Sequence, residues 1–251
     1  DALFELAEPP AGDPVLEVRV IGHQWWFEFQ YPDITYRGAD GHARVLTTAN
    51  ELHIPVGTAV NFTLESADVI HSFWVPKLGG KMDMVPRNVN TMWLKADVPG
   101  PLEGYAGQCA EFCAVAHALM RFRVIAEPRA EFDDWLRLQA TPASEPEEPL
   151  AQEGKALFEG NGECFACHTV EGVRRARGTT GPNLTHLAGR RRIVAGLMEN
   201  TQANLERWLQ DPASLKPGNI MARDARIYTD ADMKLTASEI TALVSYLQTL
   251  R

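Results

Sequence analysis

No window of this chain approaches the roughly eighteen consecutive apolar residues that a membrane-crossing helix requires. The opening residues, DALFELAEPPAGDP, lack the basic start and apolar run of a secretory signal peptide. Cysteine is scarce. The chain holds four, and they fall into two local pairs, Cys109 with Cys113 and Cys164 with Cys167. A disulfide-stapled secreted domain does not distribute its sulfur in this way, so metal or cofactor chemistry is the better expectation. Low hydrophobicity and extreme charge are missing too: 45% of residues are hydrophobic and 23% charged, which excludes a disordered chain. The 251 residues suffice for two ordinary cores.

What is present changes character along the chain. From Val15 to Val124 short β-rich runs alternate with turn signals: VLEVRVIGHQWWFEFQY, ARVLTTANELHIPVGTAVNFTLES, DVIHSFWVP, NVNTMWLKADVPG and MRFRVIA. This pattern predicts an antiparallel β-sandwich or barrel. A short segment, Arg129 to Leu138, reads as helical. The run TPASEPEEPLAQ, rich in proline and glutamate, then predicts an extended linker that buries nothing. Beyond it the spacing turns helical in EGKALFEG, NLERWLQDP and TASEITALVSYLQTL, with Thr236 and Glu239 set as a capping box. The expected organisation is a β domain over 1–138, a linker over 139–152 and an all-α domain over 153–251. Charge follows this division. Residues 1–140 carry a net −8 and residues 154–251 a net +3. Opposite signs favour transient docking of one on the other, and ordinary solubility charge explains them equally well.

Residues 164–168 read Cys-Phe-Ala-Cys-His. Two thiols at this spacing can each bond to a vinyl group of haem, and the adjacent His168 is placed to supply an axial nitrogen to iron. A thioredoxin-like pair would need a strand–helix–strand setting, which the helical pattern denies. A zinc site would need ligands beyond His186, the one histidine downstream. Of the three later methionines, Met221 in KPGNIM is the preferred second axial ligand, because Pro217 and Gly218 can turn its side chain back toward the haem. Met233 is the second choice, and Met198 reads as packing.

The stretch CAEFCAVAHALM places Cys109, Glu111, Cys113, His117 and Met120 within twelve residues. A mononuclear blue-copper site takes one thiolate, and here there is one too many. Two thiolates can bridge two copper ions, with His117 and a distant His71 at opposite ends and Met120 and the Glu111 carbonyl as weak outer ligands. In this reading His71 ends a strand. A Cys109–Cys113 disulfide and a Cys2His2 zinc site are the competing readings. His23, His42, His53 and His186 read as surface or satisfied core. Trp25, Phe27, Phe29 and Tyr31 alternate along a strand and read as one core face.

Over Gln152 to Arg251 the chain resembles class I cytochromes c, through Gly154 and Phe158, the run Gly181-Pro182-Asn183-Leu184, and Leu243 to Leu247. The resemblance implies that the first and last helices cross at a glycine and that Pro182 lies against the histidine side of the haem. Ala222 departs from the proline that often follows the methionine there. Over Pro14 to Leu138, the segments GHQWWFEFQYPD, DVIHSFWVPKLGGKMDMVPRNVN and GYAGQCAEFCAVAHALM resemble the extramembrane domain of cytochrome c oxidase subunit II. That family implies a cupredoxin-like Greek-key fold with a dinuclear copper centre held by His71, Cys109, the Glu111 carbonyl, Cys113, His117 and Met120. It further implies a magnesium or manganese ion reached by the Glu111 side chain at the subunit I interface, and electron entry through Trp25. Ala114 stands where the family commonly has glycine, with a local backbone effect as the expected consequence.

A subunit II domain fused to a cytochrome c resembles the caa-type terminal oxidases. This implies electrons passing from a cytochrome c or similar donor to covalent haem c, on to copper, and out to the oxygen-reducing subunit I. The family carries two membrane helices before the copper domain, so this chain is expected to be part of a longer protein of a prokaryotic cell membrane. Both domains would face the periplasmic side. The copper subunit of a nitric oxide reductase and a free haem/copper electron carrier are the alternatives; a nitrous oxide reductase would need a large further domain, and a copper store would not need haem.

Overall fold

The computed structural model describes Pro9 and residues 14–251. The chain divides into two compact units, one running to Tyr36 and from Val45 to Ala140, the other comprising Arg37–Arg44 and Thr141–Arg251. The short turn Arg37–Arg44 thus groups with the second unit, which the boundaries expected from the sequence do not include.

Among the described residues, ten strands build the first unit. They are β1 (Val15–His23), β2 (Trp26–Arg37), β3 (Ala43–Ala49), β4 (Glu51–Pro55), β5 (Ala59–Ser66), β6 (His71–Trp74), β7 (Lys81–Met84), β8 (Asn90–Lys95), β9 (Tyr105–Cys109) and β10 (Arg121–Glu127). They form two five-stranded sheets, ordered β3-β2-β1-β5-β8 and β4-β10-β9-β6-β7. Alternation decides what lies between them: Val18 and Val20 of β1, Phe27, Phe29 and Tyr31 of β2, Phe62 and Leu64 of β5, and Phe122 and Val124 of β10 are all buried. Each such side chain contributes about 1.5–3 kcal/mol by leaving water. Phe73 stacks on Phe122 at 4.9 Å and Phe27 meets Phe122 edge-on at 4.8 Å, locking the inner faces together. The fold is the cupredoxin-like sandwich.

The expectation of a purely antiparallel arrangement fails at two places. β1 pairs parallel with β5, and β4 pairs parallel with β10. Parallel neighbours need long crossovers, and here the chain supplies them by changing sheets between the paired strands. One change occurs at Asn50, in the left-handed region at φ 60°. Its side-chain oxygen accepts from Phe27 N at 3.0 Å, its own N–H donates to Phe27 O at 3.0 Å, and its carbonyl accepts from Arg123 N at 2.9 Å. One residue therefore ties β2 to β10. Asparagine tolerates this conformation better than most side chains. Helix α1 (Arg129–Gln139) closes the unit.

The second unit is helical: α2 (Pro149–Glu159), α3 (Gln202–Gln210), α4 (Pro212–Leu215), α5 (Ile220–Asp224), α6 (Arg226–Thr229) and α7 (Ala237–Leu247), with a two-residue ladder of β11 (Arg192–Ile193) and β12 (Met198–Glu199). The linker is shorter and less free than its composition predicts. Pro149 occupies the first helical position of α2, where its missing N–H costs nothing. Pro146 is buried, and the Ala143 N–H donates to Glu171 O at 2.8 Å. Proline excludes a segment from helices and sheet interiors but leaves its ring free to pack. Helix α2 buries Ala151, Gly154 and Phe158 at spacings of three and four. A Cβ on Gly154 would stand 2.0 Å from the Ala242 carbonyl of α7, so only glycine lets the two helices approach this closely. Phe158 and Tyr246 pack edge to face across the same crossing at 5.5 Å.

Candidate metal and haem centres

The ligand loop of the first unit leaves β9 at Cys109 and returns at β10. Beside it runs β6, with Phe73 opposite Cys109. His71 opens β6 and does not end a strand as expected; the turn before it, Ala67–Ile70, carries no strand pairing. The cross-strand bond from Ala110 N to Ser72 O, 3.0 Å, holds the start of the loop against His71, and Cys109 N donates to Met120 O at 2.9 Å to close its end. Ala114 adopts φ 84°. The departure from glycine noted in the sequence therefore falls on a backbone position that favours glycine, at a strain on the order of 1 kcal/mol.

This frame gathers all the sequence-predicted donors of the loop. Cys109 and Cys113 are free thiols with Sγ atoms 3.7 Å apart, not a disulfide. His71 Nδ1 lies 3.9 Å from Cys109 Sγ, and His117 Nδ1 lies 3.5 Å from Cys113 Sγ, so each sulfur has its own histidine. Met120 Sδ is 3.9 Å from Cys113 Sγ, and the Glu111 carbonyl is 3.2 Å from Cys109 Sγ. His71, Cys109, Cys113 and Met120 are buried, whereas the Glu111 side chain faces solvent. The thiol of Cys109 is held far below its usual range, chiefly by the hydrogen bond it shares with Cys113, and further by His71 and the Glu111 and Ser72 backbone, against the effect of burial. A preformed thiolate among soft donors suits copper.

Trp25 lies in the turn before β2 and not on the strand face; the face itself is Phe27, Phe29 and Tyr31. Its indole Nε1 donates to the Cys113 carbonyl at 2.6 Å. Sequence reasoning did not single out three further residues of this centre. The Gln24 side chain donates to the same carbonyl at 3.1 Å. Asp68 Oδ1 meets His71 Nε2 at 2.7 Å. Burial alone would raise the Asp68 carboxyl, yet hydrogen bonds from His71, Val69 and Gln24 hold it below the usual range. Gly22 faces His71 so closely that a Cβ would stand 2.8 Å from the ring. The nearness of Asp68 to His71, three residues apart, was the one clue available in the sequence. The remaining histidines are accounted for otherwise: His53 bonds Glu127 at 2.7 Å and stacks on Trp135, His23 stacks on Trp26, His186 is buried and His42 exposed.

In the second unit Cys164 and Cys167 flank a single 3-10 turn that delivers His168. The Pro182 carbonyl lies 2.7 Å from His168 Nδ1 and, as an acceptor, takes that N–H, which leaves Nε2 for a metal. A Cβ on Gly181 would stand 2.5 Å from the imidazole, so glycine is what admits the ring. Burial, aided by Arg190, lowers the His168 pKa and favours the neutral ring that ligation needs. Burial also pushes the Cys164 thiol up to about 12. Two free thiols, a directed imidazole and a glycine cradle fit a covalently attached haem.

The methionines separate by place. Met221 is the second residue of α5, a short helix where a loop was expected, and like Cys164 and Phe165 it packs against the core of the second unit. Met198 belongs to β12 and packs against the same core, and Met233 ends a 3-10 turn before α7. Asn219, which the motif KPGNIM did not single out, fixes this segment. Its amide donates to Pro212 O at 2.9 Å and Lys216 O at 2.7 Å, and its oxygen caps α5 through Ala222 N at 2.8 Å.

Residues 16–127 match the family described as cytochrome c oxidase subunit II, periplasmic domain, and residues 151–251 match the family described as cytochrome c. The chain is 41% identical to cytochrome c oxidase subunit 2 of Alkalihalophilus pseudofirmus, over 97% of this chain and 64% of that protein. It is 39% identical to cytochrome c oxidase subunit 2 of Bacillus sp. (strain PS3), over 93% of this chain and 62% of that protein. The chain thus spans less than two thirds of the length of these relatives. A crystal structure of the periplasmic domain of subunit II of cytochrome oxidase of Bradyrhizobium japonicum is similar at 31% identity and a TM-score of 0.43, over 52% of this chain and 95% of that one.

Proposed function

Because this chain belongs to the cytochrome c oxidase subunit II family and joins its periplasmic domain to a cytochrome c domain, we propose that it is the electron-entry subunit of a caa-type terminal oxidase. The observation that carries the proposal is the pairing in the first unit, two thiols 3.7 Å apart with a separate histidine at each. Six donors of this kind suit a dinuclear copper centre, ligated by His71, Cys109, the Glu111 carbonyl, Cys113, His117 and Met120. When bound, the copper pair and a haem c on Cys164, Cys167 and His168 would supply one-electron carriers between an external donor and the oxygen-reducing subunit I.

The chain's own residues do the rest. Burial of His71, Cys109, Cys113 and Met120 excludes water from the donors and limits rearrangement on oxidation. Trp25, bonded to the Cys113 carbonyl, links the centre to the turn at its edge and is the proposed entry point for electrons. Val69, Ile70, Phe112 and Val115, in the loops around the centre, are exposed. Apolar rims of this kind suit a docking face. The exposed Glu111 carboxylate is free to reach a magnesium or manganese ion at the subunit I boundary. Met221 is the proposed second axial ligand of the haem. No helix among the described residues is long and apolar enough to cross a membrane. In this proposal the units stand on the outer face of a prokaryotic cell membrane beside the other oxidase subunits.

The test is an EPR and optical spectrum of the oxidised, copper-loaded protein, with copper and haem quantified on one sample. Two coppers per haem, with hyperfine structure from an electron shared by two nuclei, is the expected result. One copper with a single-nucleus pattern would sink the dinuclear assignment. Oxygen consumption against nitric oxide consumption, measured on the assembled membrane complex, separates the oxidase from the reductase reading.

A further inference from the structure

One residue of the turn before β2 reaches toward both ends of the copper ligand set, and it does so with two different groups. The Gln24 backbone N–H donates to Asp68 Oδ2 at 2.6 Å, and the Gln24 side-chain Nε2 donates to the Cys113 carbonyl at 3.1 Å. The other oxygen of Asp68, Oδ1, lies 2.7 Å from His71 Nε2 and also accepts the Val69 N–H at 2.7 Å. An ionised carboxylate can only accept, so His71 must present Nε2 as N–H. Its Nδ1, which faces Cys109, is then the nitrogen that would bind a metal. The path His71, Asp68, Gln24, Cys113 is continuous in hydrogen bonds. It connects the histidine beside one sulfur to the backbone of the residue that carries the other. His71 is fully buried and Asp68 is not, so the carboxylate holds the ring from the solvent side.

We propose that Asp68 and Gln24 form a brace across the centre, with Asp68 the positioning residue for His71 and Gln24 the tie that sets His71 relative to Cys113. The inference rests on the copper reading above. Neither residue supplies a ligand. Their effect is to fix which nitrogen of His71 faces the sulfurs, and to make the two ends of the centre move together. Anything that shifts the His23–Trp26 turn, such as a docked partner, then acts on both ends at once.

The experiment uses the full chain with two conservative variants, Asp68→Asn and Gln24→Leu, and the double variant. The first replaces a carboxylate by its isostere, and the second removes the side-chain donor but keeps the backbone N–H. Copper retention is measured by chelator competition, together with the hyperfine pattern and midpoint potential. Each single variant is expected to retain copper on the order of 10- to 100-fold less well and to alter the hyperfine pattern. The double variant is expected to lose less than the product of the two, because both cut one network. Wild-type retention and spectra in both single variants, or losses that multiply, would overturn the brace. A second measurement stands apart from the copper reading: 15N NMR of His71 in the metal-free protein. The Nε2–H tautomer in the wild type and a mixed population in Asp68→Asn support the brace. An Nδ1–H tautomer in the wild type refutes it, however many coppers the protein binds.

Discussion

Gly22 and Met221 show how much a single position decides. At Gly22 a methyl group would stand 2.8 Å from the His71 ring, which is fully buried. Gly22→Ala is therefore expected to lower copper affinity on the order of 10- to 100-fold, the cost typical of disturbing a ligand's support, while the melting profile stays cooperative. Chelator competition reads it directly. At Met221 the thioether is expected to raise the haem potential, as methionine ligation does. Met221→Ala should lower the midpoint potential and abolish the low-spin spectrum of a methionine-ligated haem, and Met233→Ala should leave both in place. The opposite pair of results would move the axial role to Met233.

Among the elements, α7 is defined by both its cap and its crossing. The Thr236 hydroxyl accepts from Glu239 N at 3.3 Å and the Glu239 carboxylate accepts from Thr236 N at 2.8 Å. Thr236→Ala is expected to destabilise the second unit by about 1 kcal/mol, read from denaturant unfolding. Hydrogen bonds from the Thr236 backbone and hydroxyl hold the Glu239 carboxyl below its usual range. A depressed carboxyl stabilises fully above its unfolded pKa and loses that contribution as pH falls through its folded one. The effect of Glu239→Gln should accordingly shrink as the solution is acidified through the carboxylate range. Gly154 is less forgiving than the cap. A side chain there meets the Ala242 backbone at 2.0 Å, which no rotamer relieves, so Gly154→Val should separate α2 from α7 and abolish cooperative folding of the unit, as seen by loss of near-ultraviolet dichroism.

For the whole molecule, two units of different construction share one chain and carry opposite net charge, −8 over residues 1–140 and +3 over residues 154–251. The proposed copper ligands sit on strands and a loop of the first unit alone. Metal bound only by the folded form stabilises it by mass action. Copper loading should thus raise the thermal transition assigned to β-structure, followed by far-ultraviolet dichroism, and leave the transition followed at the haem band where it was. A common upward shift of both would show that the units unfold as one. Under the proposed function, carrying both domains on one chain would replace a bimolecular encounter with one at an effective concentration set by the segment between α1 and α2.

The sequence by itself determined the two structural classes and the donor types that each candidate centre gathers. Cysteine spacing of the haem motif and the density of soft donors in CAEFCAVAHALM are local properties, and local spacing survives folding. The alternation in β2 and the three-and-four spacing in α2 and α7 likewise fix burial before any tertiary contact forms. What only the tertiary structure decided is everything that joins distant segments. The parallel pairs β1–β5 and β4–β10 follow from where the chain changes sheets, which no window of sequence records. The burial of Pro146 and the bond from Ala143 N to Glu171 O are tertiary, where composition alone predicted a free linker. Gly22, Gln24 and Asp68 matter through close approach and hydrogen bonds across tens of residues. Such roles depend on distance in space, and a sequence gives distance only along the chain.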